Sequence, residues 1–338
     1  MFCKELKKVL KVSKDAAKIC SQYIHNSSQN KSNTQAVHHS KSKPAHLYNH
    51  GLSGKGKSKR VNLLDLPTIQ GEVVFGLHPV CLALQAGRRD KFYTLYINNR
   101  FLETEHDNAT ISKIIEITMQ KRIPIQPTSK AFLDQLAGNR PHQGVCLDVD
   151  ELNVPEWAED TEICRSFKHM PLWLLLHNVQ DPMNVGAILR TAHYLGMDKV
   201  VVSALDSCRL SPVVSKASAG AMEVIDLIRL PKYTSEIGLC EWWQSRGWEV
   251  VGTAIDEEMR GDCKPCSLYD FSPTRPIMVL LGNEGTGLNP ALVRICDKLI
   301  TIPSHEKSQT PHAVGSLNVS VAAGILLHWL RVSSLKEK

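Results

Sequence analysis

No stretch of this 338-residue sequence approaches the roughly 20 consecutive apolar residues that a bilayer-spanning helix needs. The longest candidates are LWLLL at 172–176 and the stretch 319–330, so no membrane span is expected. The ten cysteines run from Cys3 to Cys296 at irregular spacing, without the regular pattern of a disulfide scaffold, and read as reduced thiols. One close pair, Cys263 and Cys266 in DCKPC, has zinc-ribbon spacing, yet no second CxxC and no paired histidine motif accompanies it. It reads as a loop, and no metal site is expected. Internal repeats and heptad runs are missing too, which sets aside solenoids and coiled coils. Acidic residues are nearly missing from residues 1–60, where 13 Lys or Arg stand against Glu5 and Asp15 alone.

That first segment drifts into Ser, Asn, His, Gly and Lys with no hydrophobic period, so it has no core. At its start Phe2, Leu6, Val9 and Leu10 recur at helical spacing among Lys4, Lys7, Lys8 and Lys11, as in a basic amphipathic import helix, with lysine in place of the usual arginine. Residues 1–60 therefore read as a mitochondrial targeting and disordered basic leader. Two other readings stay open: an RNA-contacting tail, and a nuclear localisation patch around GKGKSKR at 54–60. The whole chain carries a net charge of +6, a balance that suits an anionic partner and that many ordinary enzymes share.

With 43% hydrophobic residues the remainder can build true cores. Over 71–150 short β-branched runs alternate with helical periods, which predicts a small α/β domain. Residues 151–170 are acidic and interrupted by Pro155, and read as a linker. Over 171–335 continuous Val, Ile and Leu strands alternate with helices, which predicts a parallel sheet covered on both faces.

Three segments of this second domain carry candidate chemistry. LHNVQDPMNVGAILRTAHYLG at 176–196 is a strand, a polar turn and a helix, with Asn184 where an N-cap belongs. Val185, Ile188, Leu189, Ala192 and Leu195 form its apolar stripe, which leaves Arg190 on another face. Arg190 could meet a ligand there or merely be solvated. PIMVLLGNEGTGLNP at 276–290 is a strand, a glycine loop and a helix. Its order GxxGxG fits neither the dinucleotide nor the phosphate-binding fingerprint, but it permits close backbone approach to a small ligand, with Glu284 at the tip. LITIPSHEKSQTPHAVGSLNVSVAAGILLHWL at 299–330 ends in a helix opened by Ser316, Leu317 and Asn318. Gly324 in that helix costs about 1 kcal/mol of helix propensity, best explained by another backbone packed against it.

Each segment is ambiguous alone, but taken in this order the three resemble the signature motifs of the SpoU group of SPOUT RNA methyltransferases. The resemblance covers about 171–332. Residues 71–150, from GEVVFGLHPVCLAL to HQGVCLDV, are similar to that family's small substrate-recognition domain, itself akin to kink-turn-binding ribosomal proteins. The resemblance implies a trefoil-knotted parallel-sheet domain, which is an exception to the rule that chains do not thread their own loops. It implies S-adenosyl-L-methionine as cofactor, held largely by backbone atoms at Thr253, Ala254, Gly282, Ile302 and Leu317. It places Asn184, Arg190, Glu284, Ser316 and Asn318 in the catalytic set, with Arg190 as base or as clamp on the adjacent phosphate. A homodimer is implied, each site being completed near the partner subunit.

Within the family, PVVSKASAGAMEV at 212–224 and SLNVSVAAGILLH at 316–328 look closest to members that act on mitochondrial ribosomal RNA. The expected reaction is 2′-O-methylation of a guanosine ribose in the peptidyl-transferase loop of large-subunit rRNA, in the matrix. A transfer-RNA ribose methyltransferase and a non-catalytic rRNA-binding assembly factor on the same fold are the alternatives. Methyl transfer to a ribose oxygen needs an activated oxygen, an in-line donor and charge stabilisation, and the donor brings its own leaving group. No metal and no histidine is required for it.

Overall fold

The computed structural model describes residues 68–103, 108–159, 170–203, 207–254, 265–304 and 316–335. The import helix at 2–11, the rest of the basic leader, residues 160–169 of the linker and Cys263 lie outside them, as do residues 255–264 and 305–315.

The first domain is built as β1(Glu72–Phe75), α1(Leu77–Ala86), β2(Phe92–Asn98), α2(Arg100–Glu103), α3(Ala109–Gln120), β3(Ile125–Thr128), α4(Lys130–Leu136) and β4(Val145–Val149). Its sheet has the order β1-β4-β2-β3, with β4 antiparallel to both neighbours and β2 parallel to β3. Val74, Leu84, Leu95, Ile97, Ile111 and Leu147 form the centre of its core. Asn108 caps α3 by accepting from the backbone N–H groups of Thr110 and Ile111.

The second domain contains β5(Leu172–Leu176), α5(Pro182–Tyr194), β6(Lys199–Ser203), α6(Pro212–Ala217), β7(Leu227–Leu230), α7(Glu236–Gln244), β8(Glu249–Ala254), β9(Cys266–Ser267), β10(Ile277–Leu281), α8(Pro290–Ile295), β11(Lys298–Thr301) and α9(Val319–Leu335). Its seven strands are ordered β7-β6-β5-β10-β8-β11-β9, and every neighbouring pair is parallel. Alternation explains why the strands read as unbroken apolar runs. Leu172, Leu174 and Leu176 of β5 face the core under α5 and α9, while Trp173 and Leu175 face the core under α7 and α8. On that second face Trp173 meets Trp243 and Trp248 edge to face, and Trp243 and Trp248 are tilted against each other, with centroids 4.4 to 5.3 Å apart. The parallel α/β sheet expected from the pattern is the sheet found.

Three local expectations need correction. Asn184 is not the N-cap of α5: Asp181 is, its carboxylate accepting from Met183 N, and Pro182 follows at the first helical position, where its missing N–H costs nothing. Asn184 is a turn further in, so its side chain is free for other partners. The last helix begins at Val319 rather than with residues 316–318, and Asn318 caps it by accepting from Ser320 N and Ser320 Oγ at 2.9 and 2.6 Å. Finally, among the described residues no other element comes within 4 Å of the point where a Cβ on Gly324 would sit, so the expected packing of another backbone against Gly324 is not found among them. Its neighbour Ala323 does fit the close-packing expectation, being 0% exposed in the core shared with α5. The helix α6, six residues long, is too short to show a period in the sequence.

Candidate active site at the carboxyl ends of the central strands

In an open parallel sheet, ligands bind beyond the carboxyl ends of the strands. Here the ends of β8, β10 and β11 open onto one cleft, and the loop after β10 and the start of α9 supply further walls. An open cavity lies between Thr253, Ala254, Leu281, Gly282, Ile302 and Leu317, with Glu284 and Ser316 at its polar side. All five residues expected to hold a cofactor therefore line one cavity. Val319, Ala322 and Leu326 of α9 close it with apolar surface.

The glycine loop after β10 is folded by Asn283. Its side-chain oxygen accepts from Gly285 N at 2.9 Å, Thr286 N at 3.1 Å and Thr286 Oγ1 at 3.3 Å, an Asx turn. Its side-chain amide donates to Asn178 O at 2.8 Å, and its backbone exchanges hydrogen bonds with Gly287. Asn178 is left-handed at φ 54°, which turns that carbonyl toward the loop. The Asn ahead of Glu284 was the available sequence signal for this role, since Asn favours such turns. Gly282 answers to the same loop: a Cβ there would come within 2.4 Å of Gly287 C and 2.5 Å of Leu288 N. Its lack of a side chain serves loop closure, whereas Gly287 has open space but a left-handed φ of 68° that favours glycine.

The loop aims Glu284 at α5. Asn184 Nδ2 donates to Glu284 Oε1 at 3.1 Å, and Asn318 Nδ2 donates to Asn184 Oδ1 at 3.1 Å. One polar chain thus joins all three motifs, at residues far apart in sequence, along the rim of the cavity. Ser316 is exposed beside it. Arg190 is not part of this chain. It is exposed on the outer face of α5 and makes no hydrogen bond or ion pair among the described residues. Burial, followed by the negative charges of Asp181 and Glu284, pushes the half-buried Cys208 thiol up, which marks the rim as electronegative. Thr253 spends its hydroxyl on Leu280 O at 2.9 Å, so toward the cavity it offers mainly backbone.

The sequence matches the SpoU rRNA Methylase family over residues 171–328 and the RNA 2′-O ribose methyltransferase substrate-binding family over residues 73–155. It is 38% identical to the human mitochondrial rRNA methyltransferase 1, over 84% of this chain and 80% of that protein. The chain belongs to the SpoU rRNA methylase family. Another relative, the 23S rRNA (guanosine-2′-O-)-methyltransferase RlmB of Pseudomonas syringae pv. tomato, is 31% identical over 80% of this chain and 99% of its own length. Among solved structures, the SpoU methyltransferase AviRb of Streptomyces viridochromogenes, crystallised with the cofactor AdoMet, has the same fold. It aligns at a TM-score of 0.58 and 23% identity over 79% of this chain and 91% of that one. A TrmH-family protein of Porphyromonas gingivalis aligns at 0.54 and 26%, over 78% and 91%.

The residues of the SpoU cleft fit S-adenosyl-L-methionine by their chemistry. Leu281, Ile300, Ile302, Leu317 and Leu326 offer apolar walls of the kind a nucleoside base needs, strand-end backbone offers hydrogen-bonding groups, and Glu284 offers the one carboxylate that a cationic donor favours. Among the described residues no cluster of His, Cys, Asp and Glu could hold a metal ion, and no helix is long and apolar enough to cross a membrane.

Proposed function

We propose that this SpoU protein is an S-adenosyl-L-methionine-dependent ribose 2′-O-methyltransferase that modifies a guanosine in the peptidyl-transferase loop of mitochondrial large-subunit rRNA. The observation that carries the reading is the Asn318–Asn184–Glu284 chain of hydrogen bonds laid along the rim of the cavity that Thr253, Ala254, Gly282, Ile302 and Leu317 line. Recognition alone would not require a polar chain at the mouth of an apolar cleft. The rRNA class follows from the names of the relatives, and the mitochondrial compartment from the human one together with the basic, acid-poor leader.

When bound, the cofactor supplies an electrophilic methyl group and a neutral leaving group. Everything else falls to the chain. Thr253, Ala254, Gly282, Ile302 and Leu317 hold the donor, largely through backbone and apolar contact. Asn184, Glu284, Ser316 and Asn318 position the ribose, with Glu284 as the acceptor nearest the cavity. Arg190 stands in water, where a guanidinium is a cation, and this favours the phosphate clamp over the base. A bidentate clamp on the phosphate next to the target ribose lowers the cost of charge on the 2′-oxygen.

The site is completed by a second copy of the chain. Val321 and Ile325, four residues apart on α9, are 51% and 36% exposed, and Leu317 just ahead of the helix is 51% exposed, which together leave apolar surface open beside the cavity. Gly324 lies next to that surface with open space in front of it, as a close helix contact across a dimer axis needs. The decisive experiment maps 2′-O-methyl groups in mitochondrial RNA with and without the protein, and repeats the transfer in vitro with labelled donor. Loss of a single rRNA guanosine methyl is expected. Loss of a tRNA methyl instead moves the substrate to tRNA, and unchanged methylation with defective ribosome assembly makes the protein a non-catalytic assembly factor.

A further inference from the structure

Arg89 belongs to the first domain and is 3% exposed. A buried cation is tolerated only when its partners satisfy it fully, so those partners show what the buried position is for. Arg89 Nε and Nη2 each donate to a carboxylate oxygen of Glu223, both at 2.8 Å, while Nη1 donates to Glu72 Oε1 at 2.5 Å and Asp150 O at 2.7 Å. Glu223 belongs to the second domain, is 0% exposed and also accepts from Ser215 Oγ at 2.7 Å. This is a bidentate ion pair across the domain boundary. Around it, Arg88 donates to Ile225 O at 2.5 Å, and Lys216 donates to Gln143 Oε1 at 2.7 Å. Gly220, at φ 86°, is pressed against α1, where a Cβ would lie 2.9 Å from Leu82 Cδ1 and 3.0 Å from Pro79 Cα.

The opposite side of the same segment touches the catalytic helix. At Gly186 of α5 an added Cβ would come within 2.4 Å of Ala217 Cβ and 2.9 Å of Ser218 N, so α5 meets the end of α6 with only the Ala217 methyl between them. Gly186 lies between Asn184 and Arg190. Close-packed backbone contacts of this kind transmit position because they cannot yield without a clash.

From this we infer that residues 212–223 form a rigid coupler that locks the small domain to α5, so that RNA gripped by that domain is registered against Asn184 and Arg190. Arg89 and Glu223 are then positioning residues for the RNA substrate. The inference rests on the RNA methyltransferase reading above. Methyl transfer tolerates little misplacement, and a domain free to swing on a linker would deliver the ribose to no fixed point. Neither Arg89 nor Glu223 lines the cofactor cavity.

The test uses the full chain, a transcript of the large-subunit peptidyl-transferase region and labelled donor. In the unaltered protein, NMR relaxation should show both domains tumbling as one body; independent tumbling would overturn the coupler without any substitution. In Arg89→Lys and Glu223→Gln, the fork is lost but bulk is kept. The domains should loosen by relaxation and small-angle scattering, KM for RNA should rise about tenfold, methylation should spread to neighbouring riboses, and donor affinity should stay within twofold. Variants whose domains loosen while RNA KM and target choice stay unchanged would sink the proposal, as would variants whose domains stay locked. If the unaltered protein methylates no RNA, the functional reading fails instead, and the tumbling result still decides whether the lock exists.

Discussion

The side-chain amide of Asn184 donates to the Glu284 carboxylate across 3.1 Å, joining residues 100 positions apart at the edge of the cavity. Asn184→Asp would set two carboxylates against each other. Like charges at that distance cannot both ionise, so one of the pair titrates at raised pH. Activity is therefore expected to drop near neutral pH and to recover partly as pH is lowered, when a proton restores the hydrogen bond. Glu284→Gln should lose roughly 10- to 100-fold in kcat/KM, the scale of a lost charged hydrogen bond of about 1.5–3 kcal/mol. Steady-state methyl transfer between pH 6 and 9 measures both; a pH-independent Asn184→Asp would show that the contact is idle.

Arg190→Ala should lower kcat by about 100-fold or more while donor binding stays nearly intact, since Arg190 is exposed on α5 and does not line the cavity. Arg190→Lys separates the two roles. A clamp leaves measurable turnover with a raised KM for RNA, because lysine replaces the charge but not the planar fork. A base leaves a displaced pH–rate profile. Full turnover in Arg190→Ala would remove Arg190 from the mechanism.

On α9, neighbouring positions should fail in different ways. Ala323 is 0% exposed against α5, so Ala323→Glu buries an unpaired charge and should cost several kcal/mol, lowering Tm by about 10 °C or abolishing soluble protein. Val321 is 51% exposed, so Val321→Glu should leave the fold intact and split the dimer, with loss of transfer activity. Light scattering and thermal melts distinguish these outcomes. A monomeric wild-type protein with full activity would refute the dimer.

Removing residues 1–60 should leave a folded protein that methylates RNA in vitro, because that segment has neither periodic core positions nor motif residues. The same truncation should lose mitochondrial location in cells. Continued import would refute the targeting role, and loss of transfer would place the leader in the RNA site.

What the sequence by itself determined was the order of strands and helices along the chain and which of their faces are apolar. Unbroken Leu and Val runs at 172–176 and 277–281 required a sheet buried on both faces, since only such strands can hide every side chain. The three ordered motifs named the family, and they singled out Asn184, Glu284, Ser316 and Asn318, now found along one rim. What only the tertiary structure decided is how those residues are held. A turn-forming Asn283, the use of Asp181 rather than Asn184 as the cap, and the Arg89–Glu223 pair spanning 134 positions leave no periodic trace. Hydrophobic periodicity reports which face of an element meets the core. A hydrogen bond between side chains depends on where two loops or domains come to rest, and that position is set by the packing of the whole chain.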